Sequence, residues 1–463
     1  MFKETTPLPF DGISLVSDPV HGYLSFVDSP ANASGTCERH LIDHPWVQRL
    51  RSIYQLQSAR LVFPSAEHTR FSHSLGAMHV AGRFARHLHP ALRDHFSLPF
   101  FETLLRVSAL LHDTGHGPFC HFFDEHVSIP RFGRSHEQMS QALIRGPLRE
   151  VIEKIDRGLS GVFSPGERLS ADWIAYLVGK GKGPNPVPAD LPILSSLKPL
   201  FSGIFTVDNL DYVLRDAYMC GVSVGPVYLE RILYYTHFQK EKLTIHRSGL
   251  GVFEHFIHIR RYMYAQIYFH RTTRAFDLAL RELMGETLLE LLPQDPIRHL
   301  EKYLTLTDHF LLEHVKSWKA SSHPKLARLG AGWDRFLLRE KSWELIYETV
   351  RTGTEKTLQR MGRTLPSEES IREKAMDRGY SFGDAELTVD VASRDARPEN
   401  PYLSGEGNLE VYDPLSGKVS RDLLVAMLEG IPVRQEIIRI FGKGLPDTAE
   451  AGKIFALILD EGR

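Results

Sequence analysis

Leu110-Leu111-His112-Asp113-Thr114-Gly115-His116-Gly117-Pro118 decides the reading of this 463-residue chain. An adjacent His-Asp pair closes an apolar helical run that begins near Phe101, and Gly115, Gly117 and Pro118 then stop the helix. An imidazole beside a carboxylate suits one borderline or hard divalent ion, but two ligands do not complete a site. Upstream, Arg70-Phe71-Ser72-His73-Ser74-Leu75-Gly76 sets His73 at the start of a helix on the stripe of Ala77, Val80 and Phe84. Downstream, Asp208, Tyr212, Arg215 and Asp216 recur at i, i+4, i+7 and i+8 on one polar face, opposite Leu210, Val213, Leu214 and Ala217. Singly, each has an ordinary explanation: a satisfied core histidine, a chance dipeptide, a solvated helix face. Together, with His116, His121 and His136 crowding after the pair, they point to a metal centre.

Composition narrows the class. Hydrophobic residues make up 42% and charged residues 24%, which excludes disordered and collagen-like chains. Three scattered cysteines (Cys37, Cys120 and Cys220) exclude a disulfide scaffold. The formal charge of -2 advertises neither a nucleic-acid nor a membrane partner, although a local basic pocket could hold phosphates. There is no apolar run of about 18 residues and the start, Met1-Phe2-Lys3-Glu4, is polar, so a cytoplasmic chain without a membrane span is expected.

Residues 1–40 alternate short apolar pieces with Gly, Pro and Ser and read as an irregular or short-hairpin segment. Helical spacing prevails over residues 41–295, clearest at Phe71–Leu88, Phe101–His112, His136–Ile155, Val207–Cys220 and Phe253–Leu292, with a loop at Gly181–Pro188. Residues 296–463 form the remaining region. It is helical to about residue 375, with amphipathic pieces around Trp343–Arg360. Period-two strands then follow at Glu386–Val391 and Asn408–Tyr412. The expected fold is mainly α: a helical core with a small C-terminal α+β appendix.

Across roughly residues 15–290 the chain resembles the HD-domain metal-dependent phosphohydrolases, more narrowly the deoxynucleoside triphosphate triphosphohydrolases. The stretches that carry the resemblance are Asp18-Pro19-Val20-His21-Gly22, Asp43–Arg51, His68–Gly76, the His112 segment, Ser135-His136-Glu137-Gln138 and Asp208–Asp216. It implies an HD-domain core with metal ligands His73, His112, Asp113 and Asp208. It also implies phosphate-facing His116 and His121, and His136 with Asp124 at the leaving oxygen. Arg70 matches a phosphate-binding arginine, Gln55 and Leu56 the residues under the sugar, and Tyr212 and Asp216 those at its 3'-hydroxyl side. On the expected long helix, Arg260, Tyr264, Tyr268 and Arg271 share a face; Arg260 matches a γ-phosphate contact and Tyr268 a base- or sugar-packing residue. A core aromatic stripe is the ordinary alternative for that face. Asp43, Gln48 and Arg51 match guanine-reading positions of an allosteric site, or else a capped and salt-bridged helix. Two positions depart from the sterile-alpha-motif/HD branch of the family: Asn209 and Ser14 stand where that branch has phosphate-binding lysines.

The resemblance implies one divalent ion per active site (Mn, Fe, Zn, Ni or Mg, with Mg also accompanying the nucleotide). It further implies a nucleotide substrate, a nucleotide effector and a homo-oligomer, dimer or tetramer. A bound ion lowers the pKa of its water from about 15.7 toward about 7, while arginines and histidines offset phosphate charge. The expected products are deoxynucleoside and inorganic triphosphate, with His136 as general acid and His121 as the alternative. The other reading of the same motifs is an HD-type phosphohydrolase or phosphodiesterase acting on a monophosphate, a ribonucleotide or a dinucleotide.

Overall fold

In the computed structural model, residues 11–28, 35–180, 185–203, 205–353, 367–395, 409–431 and 434–460 are described. Residues 181–184, 354–360 and Asn408, named above in the expected loop, helix and strand, lie outside them. The fold is mainly helical, with small sheets. Its axis is helix Leu98–Leu111, buried from Phe100 onward, its polar residues Glu102, Thr103, Arg106 and Ser108 included. Ser97 caps it by accepting from Phe100 N, and Pro99 occupies the first turn, where its missing N–H costs nothing. Helix Arg70–Leu88 packs along it and also meets helix Val207–Cys220. Capping boxes start His136–Arg145 (Ser135 with Gln138) and Val207–Cys220 (Thr206 with Asn209).

The N-terminal segment is a two-stranded hairpin, Ile13–Asp18 against Gly22–Val27, with Ile13 opposite Val27 and Asp18 opposite Gly22. It is bound to the helices by an ion pair with almost no solvent access. Glu38 accepts from Arg106 Nε at 2.5 Å and Nη2 at 2.9 Å and from Val27 N at 3.0 Å, while Arg106 Nη2 also donates to Ser25 O at 2.7 Å.

Three expected helices differ in the structure. The run from His136 to Ile155 breaks at Gly146 into helices His136–Arg145 and Arg149–Glu153. Residues Glu344–Gly353 form a strand, not an amphipathic helix; β-branched Ile346, Thr349, Val350 and Thr352 favour the extended form, and Arg434–Lys443 supplies the partner. The run from Phe253 to Leu292 is interrupted: helix Leu250–Met263 passes into a π turn at Tyr264–Tyr268, and a new helix, Arg271–Leu291, starts on His270 as cap. Arg260 and Arg271 therefore sit on separate helices. The C-terminal strands are present. Glu386–Asp395 flanks Arg434–Lys443 in an antiparallel three-stranded sheet. Glu410–Asp413 pairs in parallel with Lys242–His246, so this part of the C-terminal region extends a sheet that begins in the helical core. One hydrophobic core runs from Leu24 to Trp343 and takes in Leu409 and Phe441. No helix among the described residues is long and apolar enough to cross a membrane.

Because Glu38 and Arg106 are both buried, removing one partner strands the other charge. Glu38→Ala is expected to cost about 3–5 kcal/mol of unfolding free energy, read from urea melts.

Candidate metal centre and phosphate pocket

Three helix ends meet at the site. His112 is the C-terminal cap residue of Leu98–Leu111, where the helix dipole favours a cation, and Asp208 lies in the first turn of Val207–Cys220, where it favours an anion. His73 projects from the first turns of Arg70–Leu88. The loop after His112 must turn closely under helix His136–Arg145. A Cβ on Gly115 would fall 2.2 Å from His136 O and 2.4 Å from Ser140 N, so only glycine fits.

The donor atoms face one another. His73 Nε2 lies 3.3 Å from His112 Nε2, 3.3 Å from Asp208 Oδ1 and 3.7 Å from Asp113 Oδ2; His112 Nε2 lies 3.3 Å from Asp113 Oδ1 and 3.7 Å from Asp208 Oδ1. With metal–ligand bonds of about 2.0–2.2 Å, donors sharing an ion lie about 3.0–3.5 Å apart. The outer nitrogens are tied down as in metal-ligating histidines. His112 Nδ1 is 2.7 Å from Ala109 O and His73 Nδ1 is 2.8 Å from Asp211 Oδ2, which leaves both Nε2 lone pairs inward. This donor set fits a divalent ion.

Each acid has its own base. Arg70 holds Asp113 Oδ2 at 2.5 Å, Lys180 holds Asp208 Oδ2 at 3.0 Å, and Arg215 binds both oxygens of Asp211 at 2.9 Å. Burial would raise these carboxyls. The nearby cations (Arg70 for Asp113, Lys180 for Asp208, Arg215 for Asp211) outweigh it and hold all three well below the usual carboxylate range. Burial likewise opposes charge on His73, but hydrogen bonds to Asp208 and Asp211 and the field of Asp113 lift its pKa to about 10. The three carboxylates are thus ionised at neutral pH and each is matched by a base, so a divalent ion binding at His73 Nε2 would displace the proton held there.

Behind it, His136 Nδ1 hydrogen-bonds Asp124 Oδ2, and its Nε2 lies 3.3 Å from Glu137 Oε1. Burial lowers the His136 pKa, but Glu137 and Asp124 more than compensate and raise it. The His116 ring stacks on His136 at 3.7 Å and 15°, and His121 stands edge-on to both. The nitrogens of these three histidines come within 4.8 Å of one another. Nearly parallel rings, however, aim their lone pairs in separate planes, so His116 and His136 do not converge on one ion. Arg70 is further fixed by donating Nε to Cys120 Sγ at 3.0 Å, and burial pushes that thiol up to about 12, so it stays protonated and donates to Tyr54 O at 2.9 Å.

On the nucleotide-facing side expected from sequence, Tyr212 stands edge-on to His73 at 6.3 Å, and its hydroxyl accepts from Arg260 Nη2 at 3.3 Å. Tyr268 is edge-on to Tyr264 at 5.1 Å and donates to Asp216 Oδ2 at 2.6 Å, while His68 Nε2 lies 2.8 Å from Asp216 Oδ1. Gln55 and Leu56 are buried. Arg271 is outside this group. The Asp208–Asp216 face is only partly solvated: Asp208 and Tyr212 are half-buried, Arg215 and Asp216 are buried, and Asp211, which the stripe left out, is the most buried acid of the helix. Asn209 turns into its capping box with Thr206, away from the ligands. Asp43, Gln48 and Arg51 do not form one cluster: Arg51 donates to Gln48 at 2.8 Å and lies over Phe71, whereas Asp43 pairs with Arg39. Ser14 donates to Asp28 at 2.7 Å.

Asp211, Lys180 and Glu137 escaped the sequence reading. Asp211 carried one usable signal, a carboxylate between Leu210 and Tyr212 beside the buried stripe. Lys180 carried none, because only the tertiary fold brings it to Asp208.

The HD domain family matches residues 70–155. An uncharacterized protein of Bacillus subtilis is 32% identical over 270 residues, 58% of this chain and 54% of that protein. The deoxynucleoside triphosphate triphosphohydrolase SAMHD1 of Bos taurus is 25% identical over 342 residues, 66% of this chain and 55% of that protein. The chain thus spans about half the length of these curated relatives. A crystal structure of a hypothetical protein from Aquifex aeolicus superposes with a TM-score of 0.66 at 24% identity, over 95% of this chain and 99% of that one, and shares the fold. With its His-Asp pair at the end of a buried helix and its candidate ligands gathered from two others, the chain carries a segment, residues 70–155, that matches the HD domain family, and it is similar to proteins named as deoxynucleoside triphosphate triphosphohydrolases.

Proposed function

We propose that the chain hydrolyses deoxynucleoside triphosphates to deoxynucleoside and inorganic triphosphate at this centre, with one divalent ion held by His73, His112, Asp113 and Asp208. The observation that carries the reading is Arg260. Its side chain is 5% exposed, yet Nε and Nη1 have no hydrogen-bond partner among the described residues. Stranded buried donors cost about 1–3 kcal/mol each, and an anion beside Tyr212 would satisfy them. Gln55 Oε1 is a buried acceptor in the same condition, suited to a sugar hydroxyl. The relatives named as triphosphohydrolases support the choice of nucleotide.

When bound, the ion supplies Lewis acidity and a water of lowered pKa. The chain's own residues do the rest. Arg70, Lys180 and Arg260 offset charge on the phosphate oxygens. His116 and His121 face the phosphates. Tyr212, Asp216, Gln55 and Leu56 enclose the sugar, with Tyr264 and Tyr268 behind them. His136, oriented by Asp124, gives its proton to the departing 5'-oxygen, with His121 as the second candidate. One observation favours the other reading, a phosphohydrolase for a different nucleotide: both oxygens of Asp216 are already engaged, by His68 and Tyr268.

Product analysis decides between the two. Purified protein with Mn2+ is expected to turn dNTPs, offered singly and in mixtures, into deoxynucleoside and triphosphate, and chelation is expected to stop it. Release of orthophosphate or pyrophosphate, or turnover of ribonucleotides or monophosphates alone, would sink the proposal. His136→Ala is expected to keep the metal and lose about 10²–10⁴-fold in kcat; wild-type turnover removes His136 from the role. The acid form of His136 exists below its pKa, which lies above the ordinary 6.5. The kcat should therefore fall as pH rises through that value. Asp124→Asn removes one of the interactions that raise it, so the alkaline limb should move to lower pH.

A further inference from the structure

The turn Asp18-Pro19-Val20-His21-Gly22 has no part in the chemistry above, and it lies outside the stretch that the HD domain family matches. Asp18 Oδ1 closes the turn by accepting from Val20 N and His21 N at 2.9 Å each, and Gly22 takes the left-handed φ of +79°. Both turn side chains then reach across the molecule. Asp18 Oδ2 accepts from Arg215 Nη1 at 2.7 Å, and His21 Nε2 lies 2.7 Å from Asp211 Oδ1. Asp211 also takes Arg215 on both oxygens and His73 Nδ1 on Oδ2. Four donor contacts saturate a carboxylate. Every side chain in the chain of contacts is at most 5% exposed. Helix Arg70–Leu88 leaves room for it only through Gly76, where a Cβ would fall 1.8 Å from Asp211 Oδ1 and 2.4 Å from Arg215 Nη2.

We propose that His21 and Asp18 are positioning residues of the metal centre: from the N-terminal hairpin they fix the Asp211 carboxylate, which in turn aims the His73 imidazole at the ion. The inference rests on the metal-centre reading and not on the identity of the nucleotide. Without His21, Asp211 Oδ1 keeps only Arg215 and can rotate; without the Asp18 charge, Arg215 itself is less constrained. The His73 ring then samples orientations in which Nε2 leaves Asp208 and His112.

The 463-residue chain, stripped with a chelator and reloaded with Co2+, provides the test through chelator competition, the visible d–d spectrum and Tm. His21→Ala is expected to weaken Co2+ binding about 10–100-fold and to change the spectrum, with His21→Gln restoring most of both. Leu24→Ala, a buried position of the same hairpin, should lower Tm but leave affinity and spectrum as in the wild type. Unchanged Co2+ binding in His21→Ala, or an equal loss in Leu24→Ala, overturns the proposal. Should His21→Ala not fold, Asp18→Asn keeps the turn and drops only the charge on Arg215; wild-type affinity in that variant is equally fatal. A wild-type chain that binds Co2+ but releases no triphosphate from any dNTP refutes the nucleotide reading and leaves this one standing, whereas a wild-type chain that binds no ion refutes both.

Discussion

Three carboxylates, Asp113, Asp208 and Asp211, pack around the His73 imidazole, the first and last of them buried and Asp208 partly exposed, and the architecture around them is what makes that tolerable. Unpaired, each would take up a proton, because burial penalises the charged form. Arg70, Lys180 and Arg215 prevent this, one base to each acid, and Lys180 grips the oxygen of Asp208 that the histidines do not face. The same grip accounts for the locally dense packing, including a glycine on the facing helix where a methyl group would collide with Asp211.

The loop after His112 is held from far along the chain. Phe119 and Cys120 take φ of +57° and +53°, a strained choice for residues that are not glycine. Asp308 compensates by accepting from Phe119 N and Tyr54 N at 2.8 and 2.9 Å, although burial pushes its own pKa up to about 6. Arg49 ties His116 O to the carbonyls of Tyr303 and Leu306, and Tyr303 donates to Gly115 O at 2.7 Å. The segment 303–308 lies well beyond the matched HD domain, yet it sets where His116 and Cys120 stand. Cys120 in turn keeps Arg70 on Asp113.

Much of the site was legible in the residues. The His-Asp pair at the end of an apolar helix, a histidine on an apolar stripe and an acid opening the helix after Thr206 identified ligands that do meet, since local spacing places each on a definite face of its own helix. Spacing placed Tyr212 and Asp216 on one face and Arg260 on another, and only the resemblance to the HD-domain phosphohydrolases gave them roles. Asp211 was not singled out, although it lies three residues after Asp208 and four before Arg215 on the same side of the helix, because its burial depends on His21 and His73 arriving from other segments. Lys180 and the His21 turn are contacts between segments remote in sequence, which periodicity does not encode. The strand Glu344–Gly353 was misread for a related reason: its β-branched residues compete with a helical pattern, and the deciding partner, Arg434–Lys443, lies about ninety residues on.

By itself, then, the sequence determined the helical class, the helices that carry His73, His112 and Asp208, and the chemical type of the centre, because each follows from 3.6-residue periodicity, capping residues and the ligand preferences of imidazole and carboxylate. Only the tertiary structure decided which base neutralises which acid, that the N-terminal hairpin reaches the second layer of the metal centre, that His116 stacks on His136 instead of sharing an ion with it, and that Arg260 is left with donors to spare. These are properties of side chains that meet across the core, where low dielectric and close packing make each pairing strong and where no local rule of sequence says who the neighbour will be.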